Sequence, residues 1–411
     1  MTHATTAPSY PSALPIANGV TWVGVFDPNL IDFHGFILWD EVKGSTYGSY
    51  LVEGTDKVAL VDVVNEEFVP ELLARVSEVV ALEKIDYLVV NHVEPDHFGG
   101  LVKVLEALPN ATLHCSAAAA RSIPEFHGVE LPATVVADGD TLDLGGKVLE
   151  FLPVPMVHWP DSMFTYVRGA NVLICNDAFG QHIGIPGTIF SDEVPRERLI
   201  ESADLYYSNI LTALATPIKT ALTKVAAKGW QVDFLAPAHG LVYRGEDVGL
   251  IMDRYRAIVA GELKSHAITI AYSTAWHSTE LMAEYIAERL EARGYEVRTF
   301  NVNYEPHSRP TLSLLTSDAL IVGAPTMHNG MLYRTASFLH YIAGLRHQVK
   351  IAAVFGSYGW SGGATKQARA ALEGMGCPMP ISDLQVKFRP TDLDHPAIDA
   401  WIDEFIAAYE A

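Results

Sequence analysis

Four residues able to bind a metal crowd one short loop. His92, Glu94, Asp96 and His97, in Asn91-His92-Val93-Glu94-Pro95-Asp96-His97, follow the apolar run Ile85–Val90 and precede Phe98-Gly99-Gly100. Singly each has a bland reading, Asp96 as a helix N-cap or His92 as a packed core histidine. Four at this spacing point instead to a metal site, and loops at strand ends are where such sites are built. Three further candidates stand just after later apolar runs: His158 in Pro155-Met156-Val157-His158-Trp159, Asp177 after Val172–Cys175, and His239 in Ala236-Pro237-Ala238-His239-Gly240. Four imidazoles and three carboxylates suit two cations that share a bridging carboxylate and keep positions open for a substrate.

A second constellation lies in the C-terminal third. The apolar run Ala267–Tyr272 leads into Ser273-Thr274-Ala275-Trp276-His277-Ser278-Thr279 and then a helix from about Glu280. Hydroxyls and backbone N–H groups at a helix N-terminus make a nest for a phosphate. The stretch lacks the Lys of a Walker loop, which favours a monophosphate over a triphosphate. Two more loops follow later strands: Gly323-Ala324-Pro325-Thr326-Met327-His328-Asn329-Gly330 and Gly356-Ser357-Tyr358-Gly359-Trp360-Ser361-Gly362-Gly363. Three loops at the carboxyl ends of adjacent parallel strands are where a doubly wound sheet binds a nucleotide-sized ligand. Their glycines admit close backbone approach, and Trp360 offers a flat face for ring stacking.

The elements that must position these residues fall into two patterns. From Val20 to about Asp62, short apolar runs at Trp22–Phe26, Gly35–Leu38, Ser49–Val52 and Val58–Val61 are broken by turn residues, an antiparallel opening. An amphipathic helix near Val69–Val80, a strand at Ile85–Val90 and a helix at Leu101–Leu108 follow in β-α-β rhythm. Later come strands at Thr112–Ser116, Val148–Pro153, Phe164–Val167 and Val172–Cys175, a helical stretch Pro195–Lys228 and a strand near Phe234–Ala236. This irregular alternation suits a two-sheet sandwich flanked by helices. After the polar stretch Gly261–Ser265, strands at Ala267–Tyr272, Glu296–Asn301, Ala319–Gly323, Lys350–Phe355 and Ile381–Val386 alternate with helices, as in a parallel doubly wound sheet. Two domains are therefore expected, residues 1–262 and 266–411.

Composition narrows the partners. The 411 residues carry 28 Lys and Arg against 49 Asp and Glu, a net charge of -21 that repels nucleic acid and anionic membrane surfaces. Met1 to Pro15 has no basic region followed by an apolar core, and no apolar run reaches the ~20 residues of a membrane helix, so the cytoplasm is expected. The three cysteines, Cys115, Cys175 and Cys377, are too scattered for a Cys-x-x-Cys metal pair. Metals must sit on His and carboxylates.

The pattern H-x-E-x-D-H followed by separate His, Asp and His resembles the flavodiiron branch of the metallo-β-lactamase superfamily, and the three C-terminal loops resemble a flavodoxin. The hydrolytic branch has His where Glu94 stands; a carboxylate there is a harder, anionic donor that favours iron over zinc. The resemblance implies an N-terminal metallo-β-lactamase-like αββα sandwich followed by a flavodoxin-like doubly wound parallel sheet that binds FMN. It implies two irons per chain, one on His92, Glu94, His158 and Asp177, the other on Asp96, His97, Asp177 and His239, with Asp177 bridging. His34, in Asp32-Phe33-His34-Gly35, and Tyr207, in Tyr206-Tyr207-Ser208-Asn209, resemble family residues on the substrate side of the irons. The implied activity is reduction of dioxygen to water, nitric oxide to nitrous oxide, or both. Electrons would enter through FMN from rubredoxin or a reduced coenzyme, in a head-to-tail homodimer or a dimer of dimers. Two other classes compete: a binuclear metal hydrolase regulated by a flavodoxin, which Glu94 and the flavin loops oppose, and an electron carrier using the flavin alone, which the complete ligand set opposes.

Overall fold

The computed structural model describes residues 12–33, 36–37, 44–185 and 188–411. The expected strand Gly35–Leu38 is described only as the backbone of Phe36–Ile37, and His34 lies outside the described residues. The chain divides into two compact units. One holds most of the chain up to Val259; the other holds Ala260–Ala411 together with Ser208–Ala213 and the short segment ending at Ile37.

Two large sheets build the core of the first unit. In the first, the strands run in the order Leu14–Ala17, Val20–Trp22, Tyr50–Glu53, Val58–Val61, Tyr87–Val90, Thr112–Cys115 and Ala133–Val135. The antiparallel start becomes parallel from Val58–Val61 onward, where helices cross between strands. The second has the order Thr141–Asp143, Val148–Pro153, Met163–Arg168, Val172–Asn176, Phe234–Pro237 and Tyr243–Arg244. Alternation along each strand divides the core. Val61 and Val89 face the second sheet, joining Trp22, Tyr50, Phe151, Val167 and Ile174, whereas Leu60, Leu88 and Val90 pack outward against Leu72, Val76, Leu101 and Ile123 of the helices. Strands buried on both faces explain why Tyr87–Val90 reads as a continuous apolar run.

The second unit is a five-stranded sheet in the order Glu296–Asn301, Ser265–Tyr272, Ser317–Gly323, Ile351–Tyr358, Leu384–Lys387, every neighbouring pair parallel. In chain order this is 2-1-3-4-5, the flavodoxin-like winding, whose switch point lies between the first and third strands. Helices cover both faces: Ile270, Ile321 and Phe355 meet Met282, Ile286, Ile398 and Phe405, while Leu320, Val322 and Val354 meet Leu314, Phe338 and Leu372 on the other side. Among the described residues no helix is long and apolar enough to cross a membrane.

The expected single helical stretch Pro195–Lys228 is broken. α-Helices Arg196–Tyr206 and Ala215–Lys228 flank a π-helical turn, Tyr207–Leu211, and a 3-10 turn, Thr212–Leu214. Here Tyr341 donates to Asn209 Oδ1 at 2.8 Å and His347 Nε2 lies 3.0 Å from the Ser208 carbonyl. One of these tertiary bonds takes the Ser208 carbonyl, which an uninterrupted helix would use internally, a reason apolar periodicity cannot reveal.

Candidate metal centre

Each of the loops that carry the donors begins at the carboxyl end of a strand. His92 follows Tyr87–Val90 by two residues, Asp177 directly follows Val172–Asn176, His239 follows Phe234–Pro237 by two, and the His158 loop leaves Val148–Pro153. Pro95 begins a four-residue helix, Pro95–Phe98, with Glu94 at its N-cap position, so Glu94, Asp96 and His97 share one turn. Gly240, at φ +87°, lets the next loop turn under Gln181; a Cβ there would lie 1.8 Å from Gln181 Oε1. His239 is thereby seated with no exposed surface.

The donors converge in two groups. Ligand atoms of His92, Glu94, His158 and Asp177 lie within 4.8 Å of one another, and so do those of Asp96, His97 and His239. Asp177 divides its oxygens between them. Its Oδ2 is 2.8 Å from His158 Nε2 and 3.6 Å from His92 Nε2, and its Oδ1 is 2.8 Å from His97 Nε2 and 3.5 Å from His239 Nε2. Glu94 Oε2 stands 3.1 Å from His158 Nε2, and Asp96 Oδ2 3.3 Å from both His97 and His239.

Such an assembly does not satisfy itself. Both Asp96 oxygens, Asp177 Oδ1, His97 Nε2 and His239 Nε2 are buried and, close as they stand to one another, make no aligned hydrogen bond, a cost that cations at the two foci would offset. Burial works to lower the histidine pKa values, yet Asp161, Glu94 and Asp177 push His92 up to about 10, Asp177 and Glu94 push His158 up to about 10, and Asp177 and Asp96 push His97 up to about 9. Against burial, His97 and His239 hold the Asp177 carboxyl well below the usual range. The field at the centre is negative, and a metal would displace the protons it attracts. The donor set, all N and O with three carboxylates, fits hard or borderline cations such as iron.

Behind the ligands stand residues that the sequence did not single out. Buried Asp161 accepts from His92 Nδ1 and from the Val93 amide, both at 2.8 Å. Asp62 Oδ1 accepts from the Asn91 amide at 2.7 Å, and its Oδ2 from Asn91 Nδ2 at 3.0 Å and Asn176 Nδ2 at 3.3 Å. Asn91 Oδ1 in turn accepts from Thr165, and the Asn91 carbonyl from Met163 N. Asp62 thus ties strand ends of both sheets beneath the donors. Tyr206 is wholly buried, its phenol pKa raised by burial and then by Asp177, Glu94 and Asp96, and its ring lies 5.2 Å from that of His182 and 6.0 Å from that of His239. Its neighbour Tyr207 packs edge-on against Tyr255 at 5.0 Å, and burial alone raises its pKa. One step of helix, about 100°, separates the two rings, and of the pair Tyr206 is the one whose surroundings include the donor carboxylates.

In the second unit the three sequence-identified loops all leave carboxyl ends of parallel strands. The helix Ser278–Glu291 opens behind His277, itself at φ +62°. Ser273 Oγ lies 2.5 Å from Thr335 Oγ1, and Thr279 Oγ1 2.9 Å from Ser357 Oγ, which joins the first loop to the third. The Thr274 and Thr365 hydroxyls and the Asn303 side-chain oxygen are buried without a partner, polar groups that a bound phosphate or sugar would satisfy. Within the second loop, Thr326–Met327 pairs with Gly330–Met331 around His328 and Asn329, both at positive φ, as a two-residue hairpin turn requires. Pro325 leads into that hairpin, while Tyr358, Gly359, Trp360 and Gly362 carry the third loop. Trp276 and Trp360 are 85% and 93% exposed, unusual for indoles. Asn303, Thr335 and Thr365 had no signal in sequence because they come from other loops and helices.

Comparisons with known proteins match both units. The family model for ODP family beta lactamase matches residues 46–240 and that for flavodoxin matches residues 270–401. The rubredoxin-oxygen oxidoreductase of Megalodesulfovibrio gigas is 36% identical over 400 residues, covering 97% of this chain and 98% of the relative. The nitric oxide reductase of Moorella thermoacetica is 38% identical over 352 residues, 85% of this chain and 87% of the relative. Among solved structures, rubredoxin oxygen:oxidoreductase from Desulfovibrio gigas superposes with a TM-score of 0.91 at 36% identity, covering 97% of this chain and 100% of that one. The flavodiiron protein of Giardia intestinalis does so with a TM-score of 0.90 at 28% identity, covering 98% of each.

The clamp beneath the donors can be tested directly. Asp62→Ala leaves the Asn91 and Asn176 amides without their acceptor, at about 1–3 kcal/mol for each unsatisfied group. Denaturant unfolding should show that loss, and metal content by elemental analysis should fall with it. Unchanged stability and metal content would remove Asp62 from the support of the centre.

Proposed function

The chain belongs to the flavodiiron protein family, and on that premise we propose that it binds two irons and one FMN and reduces dioxygen to water, nitric oxide to nitrous oxide, or both. The observation that carries the reading is the division of Asp177: one carboxylate oxygen turned to each of two donor groups of like composition, in a chain that also carries a flavodoxin-like unit. The seven residues His92, Glu94, Asp96, His97, His158, Asp177 and His239 are the proposed ligands. Ser273 to Thr279, Pro325 to Gly330 and Ser357 to Gly362 are the proposed flavin loops, with the boundary between the two domains between residues 262 and 266. When bound, iron and flavin supply the electrons, four for one dioxygen giving two waters, two for two nitric oxides giving nitrous oxide and water.

The residues of the chain set the conditions for that chemistry. Asp177 holds the two foci together, Glu94 and Asp96 give each a carboxylate of its own, and burial of His92, His97 and His239 keeps bulk water away from the donors. Tyr206 keeps a phenolic proton beside the carboxylates, available to an oxygen of the substrate. His34 and Tyr207 stay in the proposal only as family resemblances. The hydrolase reading finds no support, since Glu94 occupies the position where hydrolytic relatives carry His. An external donor such as rubredoxin or a reduced coenzyme, a head-to-tail homodimer or dimer of dimers, and a cytoplasmic location belong to the same proposal.

Anaerobic reduction of the purified protein, followed by parallel electrode assays of dioxygen and nitric oxide consumption, tests the activity; neither gas consumed by protein loaded with iron and FMN would refute it. Glu94→His should shift metal preference toward zinc and abolish gas reduction, and full turnover in that variant would show that the carboxylate does not select iron chemistry. Trp360→Ala should weaken FMN by the about 0.5–1.5 kcal/mol of a lost aromatic contact, up to roughly tenfold in Kd, while iron content stays constant. Flavin fluorescence titration reads the first and elemental analysis the second.

A further inference from the structure

The two metal positions have the same inner composition. Each takes two histidines, one carboxylate of its own and one oxygen of Asp177. Beyond the exchange of Glu94 for Asp96, the two differ in what stands behind the ligands. His92 turns its Nδ1 onto the carboxylate of Asp161, which is 2% exposed and also receives the Val93 amide. His239 turns its Nδ1 onto the Thr46 backbone carbonyl at 2.9 Å, with the Ser45 hydroxyl more distant at 3.4 Å. His97 Nδ1 is buried and has no hydrogen-bond partner among the described residues.

We propose that Asp161 makes the two metal positions electronically unequal, so that the His92–Glu94–His158 position holds its iron in the ferric state to lower potential and the Asp96–His97–His239 position is reduced first. This rests on the reading of the centre as a pair of irons. A carboxylate on the far nitrogen draws the N–H proton and raises the basicity of the ligating nitrogen; a neutral carbonyl does so less, and an unpartnered N–H not at all. The more basic ligand favours the higher cation charge. Asp62 is a further buried carboxylate nearby, but its oxygens are occupied by the Asn91 and Asn176 amides, so it reaches His97 only through space. Each reduction is a single-electron step in which a dithionite-reduced mediator loses an electron and one ferric ion gains it; the Nδ1 proton stays on the imidazole.

Asp161 had no mark in the sequence as a positioning residue, because its partner stands 69 positions away. The test is an EPR-monitored redox titration of iron-loaded protein, with FMN potentials followed in parallel by absorbance. The wild type should give two separated iron midpoints. Asp161→Asn should raise the lower one by at least the ~59 mV that a tenfold change in the ferric-to-ferrous ratio represents for one electron, leaving the upper midpoint and the flavin potentials in place. Asp161→Glu, which restores a carboxylate, should recover the wild-type gap. If Asp161→Asn retains iron poorly, zinc titration against a chelator decides: a loss of about 10–100-fold in affinity confined to one of two sites supports the proposal, and equal weakening of both overturns it. A lower midpoint unmoved in Asp161→Asn, or a glutamate variant that behaves like the asparagine one, also overturns it. Absence of any iron redox step in the wild type would instead sink the di-iron reading itself.

Discussion

Gathering three carboxylates and four histidines around two points, five of the seven side chains buried, is the constraint on which the first unit depends. Donor atoms this close, with lone pairs that converge instead of pairing, would be costly in a protein interior unless cations occupied the foci. The surrounding structure is arranged to hold them there. The loops bearing them begin where strands end, so the sheets fix their anchor points, and the donor positions inherit the rigidity of a two-sheet core built on Trp22, Tyr50, Phe151 and Ile174. Asp62 supplies the cross-link, since its two oxygens bind Asn91 at the end of one sheet and Asn176 at the end of the other.

That support is graded. The histidines are not backed alike: His92 has the buried carboxylate of Asp161 behind its Nδ1, and His239 the Thr46 carbonyl. Tyr206 and His182 close another side of the centre with aromatic surface and one phenolic proton. A catalytic centre needs this combination of fixed ligands and a few adjustable polar groups, because hydrogen bonds beyond the ligands tune charge at the metal without altering its coordination.

The second unit meets a different constraint, an open parallel sheet whose strand ends leave backbone N–H groups and hydroxyls facing one crevice. Thr274, Asn303 and Thr365 keep polar atoms buried and unsatisfied there, and Trp276 and Trp360 stand exposed on its loops. Both features lose their cost when a phosphate-bearing aromatic ligand is bound. Neither would be expected of a unit that served only to pack.

Local chemistry made much of this legible in the amino-acid sequence. The H-x-E-x-D-H spacing, the Ser/Thr run before the Ser278 helix and the Gly-rich third loop lie within a few residues, and apolar runs marked the strands that carry them. Spacing of that kind is read without knowing the fold. Asp161 and Asp62 reach their partners across 69 and 29 positions, respectively, and Asn303, Thr335 and Thr365 enter the nest from elements with no motif of their own. The break in the helical stretch after Tyr206 coincides with hydrogen bonds from Tyr341 to Asn209 and from His347 to Ser208, far along the chain. Thus the sequence by itself determined which donors are present and on what kinds of strand ends, because covalent spacing and side-chain type suffice for that. Only the tertiary structure decided which oxygen of Asp177 serves which group and what stands behind each histidine, because those are contacts between strands brought together by burial of the core.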